Sequence, residues 1–311
     1  MKILILGAGA IGGYLGGRLT EAGADISFLV RDARRVQLER DGLHLRSVFG
    51  DLDCPVATVS ANGLAPDYDL VLLTCKAYDL DSAIAAISPG LAPQGMVLPI
   101  LNGLGHIAAL NQVFGQERVL GGTIKLSATR LADGTIKHMN DWHWLRFGEQ
   151  VGGMSKRVLA VQAAFDGAVG LEAIAEDNVM QEMWEKFVHL ATAASMTCLM
   201  RANTGQIVST DEGAALFQQM LETAAEVAQA SGYPPSAEFM ACYRALFADR
   251  QGTYATSMLR DIEAGNRTEG EQIVGLMLQR ARDLEIDSTL LTAAYAHLKA
   301  YEARQANDGS I

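Results

Sequence analysis

The chain has 311 residues, 49% hydrophobic and 20% charged, so it can bury a sizeable core and is long enough for about two domains. Its formal net charge of -11 argues against a nucleic-acid surface, which needs clustered Lys and Arg. No run reaches the ~18 apolar residues of a membrane span, and the start MKILILGAGAIGG turns to glycine too soon for a signal peptide, so the chain reads as cytoplasmic.

Residues 2–6 form a continuous apolar run, the pattern of a strand buried on both faces. A helical pattern follows (Ile11, Leu15, Leu19) and ends near Gly23. Residues 25–30 read as a strand, 33–40 as a helix, 70–74 as a strand, 78–87 as a helix and 96–100 as a strand. This alternation predicts an α/β fold with a doubly wound parallel sheet. From 118 to 147 the texture changes to short strands with glycine turns, 135–139 and 142–147 among them. A helix over 154–165 and a strand over 171–175 close that half.

After Glu176 and Asp177 the strand signals stop. Residues 178–200 carry Met180, Met183, Trp184, Phe187, Leu190, Ala191 and Ala194 at helical spacing. Ser209 with Glu212 reads as a capping box opening a helix that runs to about Gly232, before Tyr233-Pro234-Pro235. Thr268 with Glu271 reads as another. The second half is therefore all helix, and the predicted domains are 1–177 and 178–311. The polar tail from about Arg304 is expected to fray.

The four cysteines, Cys54, Cys75, Cys198 and Cys242, are widely spaced without a CxxC pair and read as buried free thiols. The six histidines show no ligand spacing, so no metal site is expected. Trp142 and Trp144 alternate along one strand face, and Met220, Met240, Met258 and Met277 read as core.

Gly7-Ala8-Gly9-Ala10-Ile11-Gly12 matches GxGxxG between a buried strand and an amphipathic helix, the context a dinucleotide site requires. Gly7 permits the tight turn, Gly9 lets the backbone approach a pyrophosphate, and Gly12 lets helix and strand pack closely. The helix N-terminus supplies N–H groups and a positive dipole end to the phosphates. After the second strand stands Val30-Arg31-Asp32-Ala33-Arg34-Arg35. Three arginines in five residues point to the 2′-phosphate of NADPH, Arg31 foremost, whereas Asp32 is the residue that would face an NADH ribose. Ligands in open α/β sheets bind at the carboxyl ends of strands, where Lys76 and Asn102 fall.

These segments, with TCKAYD around Lys76, LNGLG around Asn102, GGTI at 121–124, MWEKF around Lys186 and TSMLRDIEAGNRTEGE carrying Ser257, Asp261 and Glu269, come in a specific order. In them the chain resembles the ketopantoate reductase (2-dehydropantoate 2-reductase) family over essentially its whole length. The resemblance implies a cytoplasmic, homodimeric NADPH enzyme whose Rossmann domain precedes an all-helical domain like that of 6-phosphogluconate dehydrogenase. It implies reduction of ketopantoate to pantoate in pantothenate synthesis. Carried over residue by residue, Lys186 matches the family's general acid, and Glu269 the carboxylate that orients substrate or lysine. Ser257 matches the hydroxyl that holds the substrate carboxylate, Asn102 the asparagine near nicotinamide and substrate, and Lys76 the lysine of the cofactor cleft. Chemistry agrees with a lysine in that role. Hydride transfer to a ketone builds negative charge on oxygen, which a cationic donor stabilises and neutralises. Lys186 stands beside the apolar stripe of Met183, Phe187 and Leu190, where desolvation would tune it.

One departure bears on substrate. The family carries asparagines one and two helical turns after the lysine; here Leu190 and Ala194 stand there. Neither can hydrogen-bond a substrate hydroxyl, which favours a more apolar branched or aromatic 2-oxo acid. His189, Thr192, Ser195 and Thr197 are the nearby polar candidates. A third reading, a non-catalytic NADPH-binding regulator, needs none of the proton chemistry that Lys186, Ser257 and Glu269 together supply.

Overall fold

The structure, a computed structural model, describes residues 1–307. The chain divides into two compact units, one formed by residues Met1–Leu101 and His106–Glu182, the other by Asn102–Gly105 and the chain from Met183 onward.

The first unit opens with strand β1 (Lys2–Leu6), helix α1 (Ala10–Glu21), strand β2 (Asp25–Leu29) and helix α2 (Asp32–Asp41). Three short strands follow, β3 (Leu43–Arg46), β4 (Leu52–Cys54) and β5 (Ala57–Val59). Strand β6 (Tyr68–Leu73), helix α3 (Leu80–Ile87), strand β7 (Leu91–Pro99) and helix α4 (Gly105–Phe114) continue the alternation. Its last elements are strands β8 (Gly121–Arg130) and β9 (Ile136–Gly148), helix α5 (Lys156–Phe165) and strand β10 (Glu172–Ala175).

Five strands in the order β5-β2-β1-β6-β7, all parallel, make the first sheet, with β1 at its centre. The apolar run of β1 is explained by its two faces. Ile3 and Ile5 enter one core and Leu4 the opposite one, all three fully buried. A second sheet, β10-β9-β3-β4 with β8 antiparallel on β9, packs its apolar face into the same core as Ile3 and Ile5. The two short strands expected over 135–139 and 142–147 are one strand, β9. Its pairing with β8 slips between Leu126 and Ala128, so the intervening residues of β9 bulge without ending the ladder. The expected helix over 154–165 starts at Lys156, because the hydroxyl of Ser155 accepts from the Val158 N–H and caps it there.

The second unit is helical: α6 (Val179–Met200) from Met183 onward, α7 (Thr204–Ile207), α8 (Asp211–Ala230), α9 (Ala237–Leu246) and α10 (Ser257–Glu263). A π-helical turn (Glu271–Gly275), α11 (Leu276–Asp283) and α12 (Thr289–Ala306) complete it. Helix α6 is buried nearly all round, as a core helix must be to carry so many apolar residues. Enclosing Phe187, 1% exposed, stabilises the unit by about 1.5–3 kcal/mol.

Neither expected capping box forms among the described residues. Helix α8 is capped by Thr210, whose oxygen accepts from the Gly213 N–H, while Ser209 donates to the Gln206 carbonyl. With Thr210 as the cap, Glu212 is one residue short of the position that could reach back. The box that does form is Asn203 with Gln206, at the start of α7. Thr268 accepts from the Gly270 N–H, and Glu271 is bonded instead by the Tyr295 hydroxyl. The tail expected to fray from Arg304 stays helical to Ala306; residues 308–311 of that expectation lie outside the described residues. The four cysteines are free thiols, but Cys242 is exposed, and Cys54 and Cys75 are only half-buried. Among the described residues no helix is long and apolar enough to cross a membrane.

Candidate active site

The glycine loop joins β1 to α1 in the first unit. Gly7 adopts φ +91°, a conformation open to glycine at little cost. A Cβ at Gly12 would stand 2.2 Å from the Gly7 carbonyl oxygen and 2.5 Å from Oγ1 of Thr74, so close packing requires glycine there. Gly9 differs, since beyond its own neighbours in the chain a Cβ on it would meet no atom of the described residues within 4 Å. Its bareness therefore does not serve packing and fits a ligand drawn up to the backbone. Gly9 is also the cap residue of α1 and offers no side-chain acceptor, so the first-turn N–H groups stay available to an anion. The loop residues Ala8, Ala10 and Ile11 complete a turn that fits a dinucleotide pyrophosphate.

The three arginines after β2 part company in the structure. Arg34 donates to the Ala8 carbonyl (3.3 Å), the Gly134 carbonyl (3.0 Å) and Gln37 (2.7 Å), tying the glycine loop to the β8–β9 turn. Burial, with repulsion from Arg130, holds its guanidinium below the usual arginine value. Arg35 pairs with Asp32 and Glu39, both at 3.3 Å. Arg31 is exposed at the uncapped N-terminus of α2, and its side chain has no partner among the described residues. Asp32 points into solvent beside Arg35. Lys76 is exposed and begins the short helical turn after β6.

In the second unit the structure joins two of the sequence candidates directly. The Asn102 side-chain amide donates to Oε2 of Glu269 at 3.5 Å, and Glu269 is 5% exposed. Gly103 permits that approach, with φ +78° and a virtual Cβ only 2.6 Å from the Gln272 carbonyl oxygen. Gln272 lies in the π-helical turn that starts two residues after Glu269. Such turns recur at functional sites because the extra residue per turn redirects side chains.

Lys186 and Leu190 are half-buried on successive turns of α6, and Ala194 is enclosed at 2% exposure. Ser257 is the first residue of α10, exposed and without a hydrogen-bond partner among the described residues. Of the polar neighbours on α6, His189 stacks on Tyr243 with ring centroids 4.4 Å apart. The hydroxyls of Thr192 and Ser195 are buried without partners among the described residues. Thr197 donates to the Ala193 carbonyl (2.7 Å) and meets Oγ1 of Thr256 at 2.9 Å. Thr256 and the anchoring role of Arg34 escape sequence reading; the only advance signal for Thr256 is its place as a capping residue type before α10.

A glycine-lined helix start at the carboxyl end of a parallel sheet, with a helical unit to follow, defines the class of Rossmann-type oxidoreductases. Residues 3–152 match the family model described as ketopantoate reductase PanE/ApbA, and residues 178–302 match its C-terminal model. The uncharacterized oxidoreductase YkpB of Bacillus subtilis is 33% identical over 98% of this chain and 100% of its own length. The crystal structure of 2-dehydropantoate 2-reductase from Methylococcus capsulatus superposes with a TM-score of 0.87 at 29% identity, covering 98% of each chain. D-mandelate dehydrogenase, solved with NADH and anilino(oxo)acetate, shares the fold at a TM-score of 0.85 and 21% identity, over 98% of this chain and 100% of that one. The chain belongs to the ketopantoate reductase family.

Proposed function

We propose that the protein reduces a 2-oxo acid to the 2-hydroxy acid with NADPH, ketopantoate to pantoate being the first candidate pair. The observation that carries this reading is the bond from Asn102 to Glu269. Glu269 is a carboxylate at 5% exposure that accepts from the Asn102 amide, and a site that orients a polar substrate gives such a buried polar pair a use. Bound NADPH supplies the hydride. In this reading Lys186 gives its proton to the ketone oxygen as negative charge gathers there. Ser257 donates its hydroxyl to the substrate carboxylate, and Glu269 and Asn102 hold substrate and lysine in register. Gly7 to Gly12 hold the pyrophosphate, Arg31 takes the 2′-phosphate, and Lys76 stands along the cofactor. The same reading takes the enzyme as a homodimer.

Leu190 and Ala194 favour a second substrate reading. Neither side chain can satisfy the hydroxyl of ketopantoate, whereas a branched or aromatic 2-oxo acid has none to satisfy. The structural likeness to a mandelate dehydrogenase is in keeping with an aromatic substrate. NADPH and NADH oxidation measured over a panel of 2-oxo acids that includes ketopantoate tests both readings. No turnover of any member overturns them, and equal use of NADH overturns the cofactor assignment.

A further inference from the structure

We infer that Thr256 and Thr197 are a positioning pair that pins the start of α10, where Ser257 stands, to α6, the helix that carries Lys186; this rests on the substrate reading of Ser257 and Lys186. The protons of the pair can be assigned. Thr197 spends its single hydroxyl proton on the Ala193 carbonyl at 2.7 Å. In the 2.9 Å contact between the two hydroxyls Thr256 must therefore be the donor. The Thr256 oxygen in turn accepts from the Leu259 N–H at 3.2 Å, which caps α10. One directed chain thus runs from the Leu259 N–H through Thr256 and Thr197 to the Ala193 carbonyl.

The two ends of that chain matter. Lys186, Leu190, Ala193 and Thr197 recur at intervals of four, three and four, which puts them on one face of α6. Thr256 immediately precedes Ser257, whose exposed hydroxyl has no partner among the described residues. The chain therefore ties the first residue of α10 to the lysine face of α6. Packing alone does not ask for it, because Thr197 is fully buried, Thr256 is 5% exposed, and valine has nearly the same shape. Two hydroxyls facing each other in the core set a register that two valines would leave free to slide.

The test compares Thr256→Val, Thr256→Ser, Thr197→Val and Ser257→Ala in the full-length enzyme, using the best 2-oxo acid found. KM for the oxo acid, KM for NADPH, kcat and the melting temperature are read for each. Thr256→Val is expected to raise the oxo-acid KM about tenfold, equivalent to about 1.4 kcal/mol, with the NADPH KM unchanged. Thr197→Val, which keeps the cap, is expected to raise the same KM by a smaller factor. Thr256→Ser, which keeps the hydroxyl, is expected to behave like the wild type. A lower melting temperature with the oxo-acid KM unchanged in both valine variants would make the pair a plain helix cap and overturn the inference. So would Thr256→Ser failing as badly as Thr256→Val. If Ser257→Ala raises the oxo-acid KM while neither valine variant does, this inference alone fails. If Ser257→Ala leaves it unchanged, the role given to Ser257 fails and takes the inference with it.

Discussion

Asn102 donates a hydrogen bond to Glu269 across 167 positions of sequence. The contact depends on a neighbour without a side chain. At Gly103 an alanine would suffer both the positive φ and a Cβ 2.6 Å from the Gln272 carbonyl oxygen, a backbone atom that cannot swing away. Gly103→Ala is therefore expected to destabilise the protein by about 1–3 kcal/mol and to lower kcat/KM by loosening Asn102. A melting curve and steady-state kinetics on the same sample check it; an unchanged kcat/KM would show that the loop does not hold the site.

That contact also marks where sequence reading stops. The glycine loop was legible because its causes are local: a buried strand, three glycines and a helix lie within a dozen residues, and Gly7 and Gly12 serve the geometry their spacing implies. Local rules also misplaced a cap, because Ser209 and Thr210 are adjacent hydroxyls and only the path of the backbone selects Thr210. Three arginines in five residues read in sequence as one cationic patch with Arg31 foremost, yet the β8–β9 turn claims Arg34, and the carboxylates of α2 claim Arg35. No periodicity reveals that residues 102–105 belong with the helical unit, since the approach of Asn102 to Glu269 is set by tertiary packing.

Replacing Arg31 by alanine is expected to weaken NADPH binding by about 1–3 kcal/mol, the range for one charge-assisted contact, and to leave NADH nearly unchanged. Arg34→Ala should act differently. It removes the bonds to the Ala8 and Gly134 carbonyls, so it should weaken both cofactors and lower the melting temperature. Titration of each variant with NADPH and NADH separates the two roles. Parallel losses at Arg31 would show that it does not meet the 2′-phosphate.

Lys186→Ala is expected to cut turnover about 10²–10⁴-fold, the usual worth of a general acid, while NADPH affinity stays at the wild-type level. Stopped-flow hydride transfer and a cofactor titration check the two halves of the claim. Wild-type turnover on the best substrate would reduce Lys186 to a structural lysine.

Thiol reactivity should follow burial. The Cys198 thiol is 1% exposed, and burial pushes its pKa up to about 12 because the charged thiolate is disfavoured there. Only about one molecule in 10⁴ would carry that thiolate at pH 8, and it would still be out of reach of a reagent. Cys242, on the surface of α9, should be labelled in the native protein, and Cys198 only after unfolding. Mass spectrometry of the labelled peptides reads the order, and early labelling of Cys198 would mean that α6 opens in the native state.

Substrate choice can be moved from α6 itself. Leu190 is half-buried one turn after Lys186, whereas Ala194 is enclosed at 2% exposure, so a larger side chain at 194 would also strain the core. The cleaner change is Leu190→Asn alone. If Leu190 faces the substrate, the wild-type enzyme leaves the ketopantoate hydroxyl unpaired at a cost of about 1–3 kcal/mol. That corresponds to a factor of about 5–150 in kcat/KM against an apolar 2-oxo acid of similar size. The asparagine should recover much of that factor for ketopantoate and lose affinity for the apolar acid, whose side chain would then face an unsatisfied amide. The ratio of the two kcat/KM values, measured for wild type and variant under one set of conditions, is the readout. Strong preference for ketopantoate in the wild type, unmoved by Leu190→Asn, would place the substrate hydroxyl away from Leu190 and against other groups of the helical unit.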